Sequence, residues 1–303
     1  MLQKKLLLIV NPCSGRAKMH TELLKVVEIF SAADYSITVY PTKSKGDATD
    51  YIINLVDNSY DLIVVCGGDG TLNEVITGIM KKRIKMPLGY IPSGTLNEWS
   101  SGLKISRNIE QAAMDITFNH KIPLDIGKFG DKFFSYTASF GAFTSASYSA
   151  PQKVKNVLGQ AAYFFEGIKS LSNIKSTHLK LTHDNGIIEG DFLFGAISNS
   201  LSVGGVVKYN KVAVELNDGQ FEGLLIRKPS NILKLQPIID GILKHRFNRE
   251  GMEFFKSSKV IIESEESIPW TLDGEFAQTD GKFTIENIHN AITFIVPPTI
   301  DKK

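Results

Sequence analysis

The stretch LIVVCGGDGTLNEVITGI, residues 62–79, decides how the first half of the chain is read. An unbroken apolar run stops at Gly67-Gly68-Asp69-Gly70, and apolar residues then return with helical spacing. That pattern is a buried strand, a bare turn holding one carboxylate, and an amphipathic helix. Working outward, LLLIV (6–10), SITVYPT (36–42), DLIVVC (61–66) and PLGYI (87–91) alternate with helical TELLKVVEIF (21–30), ATDYIINLVD (48–57) and NEVITGIM (73–80). Continuous apolar strands separated by amphipathic helices predict a parallel sheet covered on both faces, a doubly wound α/β domain.

Beyond Pro123 the texture changes. KFFSYTASFGAF (132–143), HLKLTHD (178–184), IIEGDFLFGAISNS (187–200), KVAVELNDGQFEGLLIRK (211–228) and KVIIESEE (259–266) read as strands with Gly, Asn and Asp at their turns. Only 151–172 and about 230–248 have helical spacing there. The expected organisation is an α/β domain over 1–123 and a mainly β, sandwich-like domain over 124–288, with a final strand within 289–303.

Length and composition agree with two domains: 303 residues, 43% apolar, 11 prolines, against an upper size of about 250–300 residues for one core. A formal charge of +2 without a long basic block argues against nucleic acid as a partner. Two cysteines, Cys13 and Cys66, are too few for a disulfide framework, which points to a reducing cytosol. The start MLQKKLLLIV reads as a first strand rather than a leader, since Asn11-Pro12 ends it without a small-residue cleavage pattern. No apolar run reaches the roughly 18 residues of a membrane span.

Ligands of open α/β sheets bind beyond the carboxyl ends of the strands. Three loops leave such ends here: NPCSGRAK (11–18), GGDGTLNE (67–74) and PSGTLNEW (92–99). Glycines let a backbone approach a bulky anion, and unpaired N–H groups at a helix start attract phosphate. GxxxxGK[ST] and a GxGxxG after a strand do not occur. A carboxylate amid the glycines disfavours a bare pyrophosphate and favours a metal–nucleotide complex, because Mg²⁺ takes hard oxygens shared with phosphates. The inference is a kinase using Mg²⁺ and ATP.

GGDGTLNEVITGI (67–79), with NPCSG before it and GTLNEW after it, resembles the diacylglycerol kinase catalytic superfamily, which includes bacterial soluble lipid kinases and sphingosine kinases. The bare GGDGT is shared with NAD kinases; Asn73-Glu74 and the second GTxN[DE] loop favour the lipid kinases. The resemblance implies ATP contacts from Asn11, Pro12, Cys13, Ser14, Gly15, Thr42, Gly67, Gly68, Asp69, Gly70, Thr71, Leu72, Asn73 and Glu74. It implies further contacts from Ser93, Gly94, Thr95, Asn97 and Glu98. It also implies a nucleotide cleft between the two domains and a last strand, AITFIVPP (291–298), returning to the first. Glu98 stands where many relatives have aspartate and Trp99 where they have phenylalanine; Cys13 fills the variable position of its loop.

In the second half, Asp273-Gly274-Glu275 follows IPWTL. Alone such a tripeptide reads as a solvated turn. In the resembling family it implies a general base, Glu275, with Asp273 as its partner. Asp125, flanked by Leu124 and Ile126, needs a partner once buried; it is either an ion pair to a lysine or, as the resemblance implies, part of a carboxylate network with Asp69. Glu215 and Asp218 with the Gln220 carbonyl match the spacing of a structural Mg²⁺ site in bacterial relatives, although the first position there is an aspartate. The alternative is a plain Asn-Asp-Gly hairpin turn.

The six histidines form no zinc-like cluster, and GxSxG is absent. Aromatics in 133–143 and 161–167 read as core or as a lipid pocket. Lys153, Lys155 and Lys244-His245-Arg246 read as surface cations or as headgroup contacts. The resemblance implies a lipid acceptor, diacylglycerol giving phosphatidic acid, met peripherally at a membrane surface by a cytoplasmic enzyme; no nucleic acid is expected, and a homodimer is one option. Rival readings are a kinase for phosphatidylglycerol or a sphingoid base, an NAD kinase, and a non-catalytic nucleotide- or lipid-binding homologue.

Overall fold

The computed structural model describes residues 3–54, 59–95, 97–141, 176–200, 202–203, 207–208, 214–231 and 234–298. The expected helix over 151–172, the aromatics of 161–167, Lys153 and Lys155 lie outside the described residues. The chain divides into two compact units, residues 1–125 with 290–303, and residues 126–289.

In the first unit, β1 (Lys4–Val10), β2 (Tyr35–Pro41), β3 (Leu62–Gly67) and β4 (Leu88–Pro92) form a parallel sheet in the order β4-β3-β1-β2. Every residue of β3 and β4 is buried; a strand covered on both faces has no polar side to show, hence the continuous apolar runs. Between the strands lie α1 (Lys18–Ala32), α2 (Asp47–Asn54) and α3 (Asp69–Lys82), followed by α4 (Glu98–Gly102) and α5 (Ile109–Thr117). α1 packs on α5 and α2 on α3, one pair to each face as right-handed crossovers require. Lys25 Nζ joins Glu110 at 2.6 Å across the first pair. The order reverses between β1 and β3, so the loops leaving those two strands flank the switch point of the sheet.

The chain crosses between units inside β5 (Lys121–Phe129) and again inside β17 (Lys282–Ile295). The far end of β17 adds to the first sheet, Phe294 pairing in parallel with Leu88. The second unit is antiparallel. Its strands are β6 (Lys132–Phe134), β7 (Thr137–Gly141), β8 (Thr177–His183), β9 (Gly186–Ser198), β10 (Ser202–Val203), β11 (Val207–Lys208) and β12 (Phe221–Arg227). After α6 (Leu235–Leu243) come β13 (Met252–Ser257), β14 (Lys259–Glu263), β15 (Ile268–Leu272) and β16 (Glu275–Thr279). They run in the order β16-β15-β7-β9-β8-β14-β17, with β12 between β9 and β13.

The core of this unit is aromatic. Trp270 lies edge-on to Phe140 and Phe129, ring centroids 4.8 and 5.4 Å apart, and its indole N–H reaches Thr279 Oγ1 at 3.1 Å. Three strand glycines have a phenylalanine as register partner: Gly127 opposite Phe134, Gly195 opposite Phe140, Gly223 opposite Phe255. A Cβ on these glycines would lie 2.2, 2.1 and 2.2 Å from the opposing rings, so each ring occupies the space its partner leaves. The aromatics of β6 and β7, Phe134 and Phe140, are core residues.

Glu222 on β12 is fully buried. Burial pushes its carboxyl up to about 8, against the pull of Lys256.

Two measurements check this packing. Gly195→Ala is expected to lower unfolding free energy by about 1–3 kcal/mol in denaturant titration, the usual cost of overpacking; an unchanged midpoint would show that the ring of Phe140 moves freely. For Glu222, the folded carboxyl is raised from 4.5 to about 8, so its stabilisation is complete below pH 4.5 and lost as pH rises through 8. Unfolding free energy of the wild type relative to Glu222→Gln should therefore fall across that window and level off above it; a difference independent of pH would contradict the assignment.

Candidate active site

Asn11 begins the first loop. Its N–H donates to Cys66 O on β3 at 2.8 Å, its Oδ1 accepts from Cys13 N at 2.9 Å, and its Nδ2 donates to Thr71 Oγ1 at 2.9 Å. Ser14 donates back to Asn11 O and shares a 2.5 Å hydrogen bond with Ser93 Oγ. Gly15, in the left-handed region at φ 63°, lies against the Ser93 carbonyl, which a Cβ would meet at 2.2 Å. The loops after β1, β3 and β4 are thus one structure, bonded through Thr71 and Ser93.

The second loop starts α3 at Asp69, directly after Gly68, and no side chain caps that helix. Its first N–H groups are therefore available to an anion. Gly68 and Gly94 approach so closely that a Cβ on Gly94 would stand 2.6 Å from Gly68 Cα. Ser93 N donates to Gly67 O at 2.8 Å. Asn97 turns the third loop with φ 49°, accepting from Gly94 N at 3.0 Å and donating to Gly94 O at 2.8 Å.

Asp69 sets a carboxylate in this cradle. Its Oδ2 accepts from Glu98 N at 3.1 Å, while its Oδ1 is buried without a hydrogen-bond partner among the described residues. Burial raises its carboxyl above the ordinary range, opposed by the backbone N–H groups of 97–99 and the charge of Arg107. An orphaned carboxylate oxygen beside glycines and an uncapped helix start fits the phosphates of a nucleotide and the hard cation that accompanies them. Thr42, at the end of β2, donates its N–H to Val10 O at 2.8 Å; Pro12, Cys13, Gly70 and Thr95 lie on the loops with the groups above. Asn73, on α3, accepts from Thr77 Oγ1 at 3.1 Å.

Two of the expected nucleotide contacts face elsewhere. Leu72 is fully buried with Val75, Ile76 and Ile79, the apolar stripe of α3 that the helical period puts against the sheet. Glu74 accepts from Gly46 N at 2.8 Å and Ala48 N at 3.3 Å, so its carboxylate binds the start of α2 instead of a loop ligand. Tyr90 was missed by the sequence reading: buried on β4, its hydroxyl lies 3.3 Å from both Gly67 O and Asn97 Oδ1. A tyrosine inside an otherwise apolar strand is the available signal, since its hydroxyl must find a partner.

In the second unit Asp273 (φ 47°) and Gly274 (φ 92°) turn β15 into β16. The Asp273 carboxylate accepts from Ser135 N (2.5 Å), Ser135 Oγ (2.8 Å), Tyr136 N (3.0 Å) and Thr137 N (2.9 Å). Burial pushes its carboxyl up to about 6, and these donors pull it back. Asp273 therefore clamps the turn, and Glu275 is presented exposed at the start of β16. Asp125, fully buried, accepts from Asn290 N at 2.7 Å.

In the expected metal set the central carboxylate already has protein partners. Asp218 Oδ1 accepts from Gln220 N at 2.9 Å and its Oδ2 from Lys256 Nζ at 2.9 Å, while Glu215 is exposed. Among the described residues no three acidic, His or Cys side chains gather to hold an ion. These residues, so arranged, do not fit a resident divalent cation.

The profile of the diacylglycerol kinase catalytic domain matches residues 5–129. The chain is 31% identical over 299 residues to the diacylglycerol kinase of Bacillus subtilis (strain 168), covering 97% of each. It is also 31% identical over 276 residues to that of Staphylococcus aureus (strain MRSA252), covering 91% of this chain and 87% of the other. Two Bacillus anthracis str. Sterne crystal structures superpose on it. One has a TM-score of 0.83 at 30% identity, covering 99% of this chain and 97% of the other. The second, of a diacylglycerol kinase, has a TM-score of 0.76 at 26% identity and covers 99% of both. With the bare phosphate cradle around Asp69 and similarity running through both units, the chain belongs to the diacylglycerol kinase family and is a lipid kinase.

Proposed function

We propose that the protein transfers the γ-phosphoryl group of ATP to the hydroxyl of diacylglycerol, giving phosphatidic acid, with Mg²⁺ as cofactor. The observation that carries this reading is the buried Asp69 Oδ1, without a hydrogen-bond partner among the described residues, set among Gly67, Gly68 and Gly94 at the uncapped start of α3. When bound, Mg²⁺ would neutralise the charge shared between the β- and γ-phosphates. Backbone N–H groups of 68–70 and the hydroxyls of Ser14, Thr71 and Ser93 orient the phosphates, while Asn11 and Asn97 hold the loops in register.

Glu275 is the general base. Its exposed carboxylate accepts the acceptor hydroxyl's proton as the oxygen–phosphorus bond forms and ADP departs. Asp273 does not exchange protons in this scheme; it holds the turn that aims Glu275. Asp125 positions backbone where the chain passes between the units. The likeness to proteins named diacylglycerol kinase supports diacylglycerol as the acceptor over phosphatidylglycerol, a sphingoid base or NAD. The enzyme works in the cytoplasm and touches a membrane surface transiently to reach its lipid. No helix among the described residues is long and apolar enough to cross one.

Purified protein with γ-labelled ATP, Mg²⁺ and detergent-dispersed lipids tests this, with NAD as a parallel acceptor. Label is expected in phosphatidic acid; label in another lipid alcohol alone would replace the substrate, and label in NAD alone would overturn the lipid reading. Glu275→Gln is expected to keep the KM for ATP while kcat falls at least ~10²-fold. Asp69→Asn should raise the KM for Mg-ATP as well. Full activity of Glu275→Gln would remove the assigned base.

A further inference from the structure

Lys256 on β13 is the register partner of Glu222 on β12. Its ammonium lies 2.9 Å from Asp218 Oδ2 and 3.4 Å from Glu222 Oε1. The Asp218 side chain is 21% exposed and that of Glu222 is 0% exposed. One cation thus faces two carboxylates in a half-buried recess beside the turn at 215–220, where the relatives' pattern implies a divalent ion. Both oxygens of Asp218 are already in use, one by the Gln220 N–H and one by Lys256. A divalent ion bound to Asp218 would have to displace the ammonium, because two cations on one carboxylate repel at this range.

We propose that in this chain the ammonium of Lys256 takes the place of a resident divalent cation at the 215–220 turn, so that the second unit is folded and held without one. The turn it anchors is bonded onward: Leu216 O accepts from Asn199 Nδ2 at 3.2 Å, Asn199 N donates to Tyr136 O at 3.0 Å, and Tyr136 N donates to Asp273 Oδ1 at 3.0 Å. The fixed cation and the clamped turn before Glu275 therefore belong to one hydrogen-bonded path within the unit. The sequence signal was Glu215, one methylene longer than the relatives' aspartate; Lys256, 38 residues from Asp218, has no local mark.

Thermal unfolding of the full chain without nucleotide tests the substitution, comparing EDTA with millimolar MgCl₂. A resident ion removed by EDTA would lower Tm by several degrees, since a ligand that binds only the folded state stabilises it by mass action. The expected result is a wild-type Tm unchanged to within about 1 °C, in the Asp69→Asn background as well, which excludes ions held at the nucleotide loop. Lys256→Met should lower Tm by roughly 5 °C or more, and Lys256→Arg should retain most of the wild-type value. A wild type destabilised by EDTA, also with Asp69→Asn, overturns the proposal; so does a Lys256→Met protein as stable as the wild type. Should Lys256→Met fail to fold, the wild-type comparison decides alone.

Discussion

The close approach of the backbone at Gly68 and Gly94 is the constraint on which the first unit depends. Two loops leaving adjacent strands can touch main chain to main chain only where neither carries a side chain, and a Cβ on Gly94 would sit 2.6 Å from Gly68 Cα. That contact brings Ser93 to Gly67 and Ser14, and it closes the third loop over Asp69. The result is a concave run of N–H groups with one carboxylate at its base. Phosphates need such a surface because their charge is spread over several oxygens and is met best by many weak donors held in advance. The bareness of the loop and the nucleotide role proposed for it have the same cause.

A different solution operates in the second unit. No helix N-terminus presents Glu275; instead a turn with two positive-φ residues is clamped by Asp273 through four donors from 135–137. A buried carboxylate is costly unless its lone pairs are filled, and here three of the four filling groups are consecutive backbone N–H groups, which cannot rotate away. Rigid elements aim an exposed acid better than a mobile loop does.

The split between what was legible and what was not follows the range of the interactions. The α/β alternation, the three loops and Asp69-Gly70 at a helix start lie within short windows, and the periodicities of 2.0 and 3.6 display them directly. The resemblance implies nucleotide contacts from Leu72 and Glu74, which adjoin the loop. The helical period alone places Leu72 in the core; the capping of α2 by Glu74 needs a residue 28 positions away. Likewise, Asp125 finding Asn290, 165 positions on, and Lys256 reaching Asp218 have no local signature. Charge complementarity across strands depends on register, which only the assembled sheet supplies.

The acids at 273 and 275 stood out through the family resemblance; by itself the sequence determined the two textures of the chain, the bare loops at 11–15, 67–71 and 93–97, and the acid at 69. These are properties of residue type, spacing and backbone freedom, which a linear string carries. Tertiary structure decided which side chains meet: Tyr90 with Gly67 and Asn97, Asp273 with Ser135, Lys256 with Asp218 and Glu222. The physical reason is that a hydrogen bond or ion pair acts over about 3 Å, and only folding brings residues far apart in sequence within that distance.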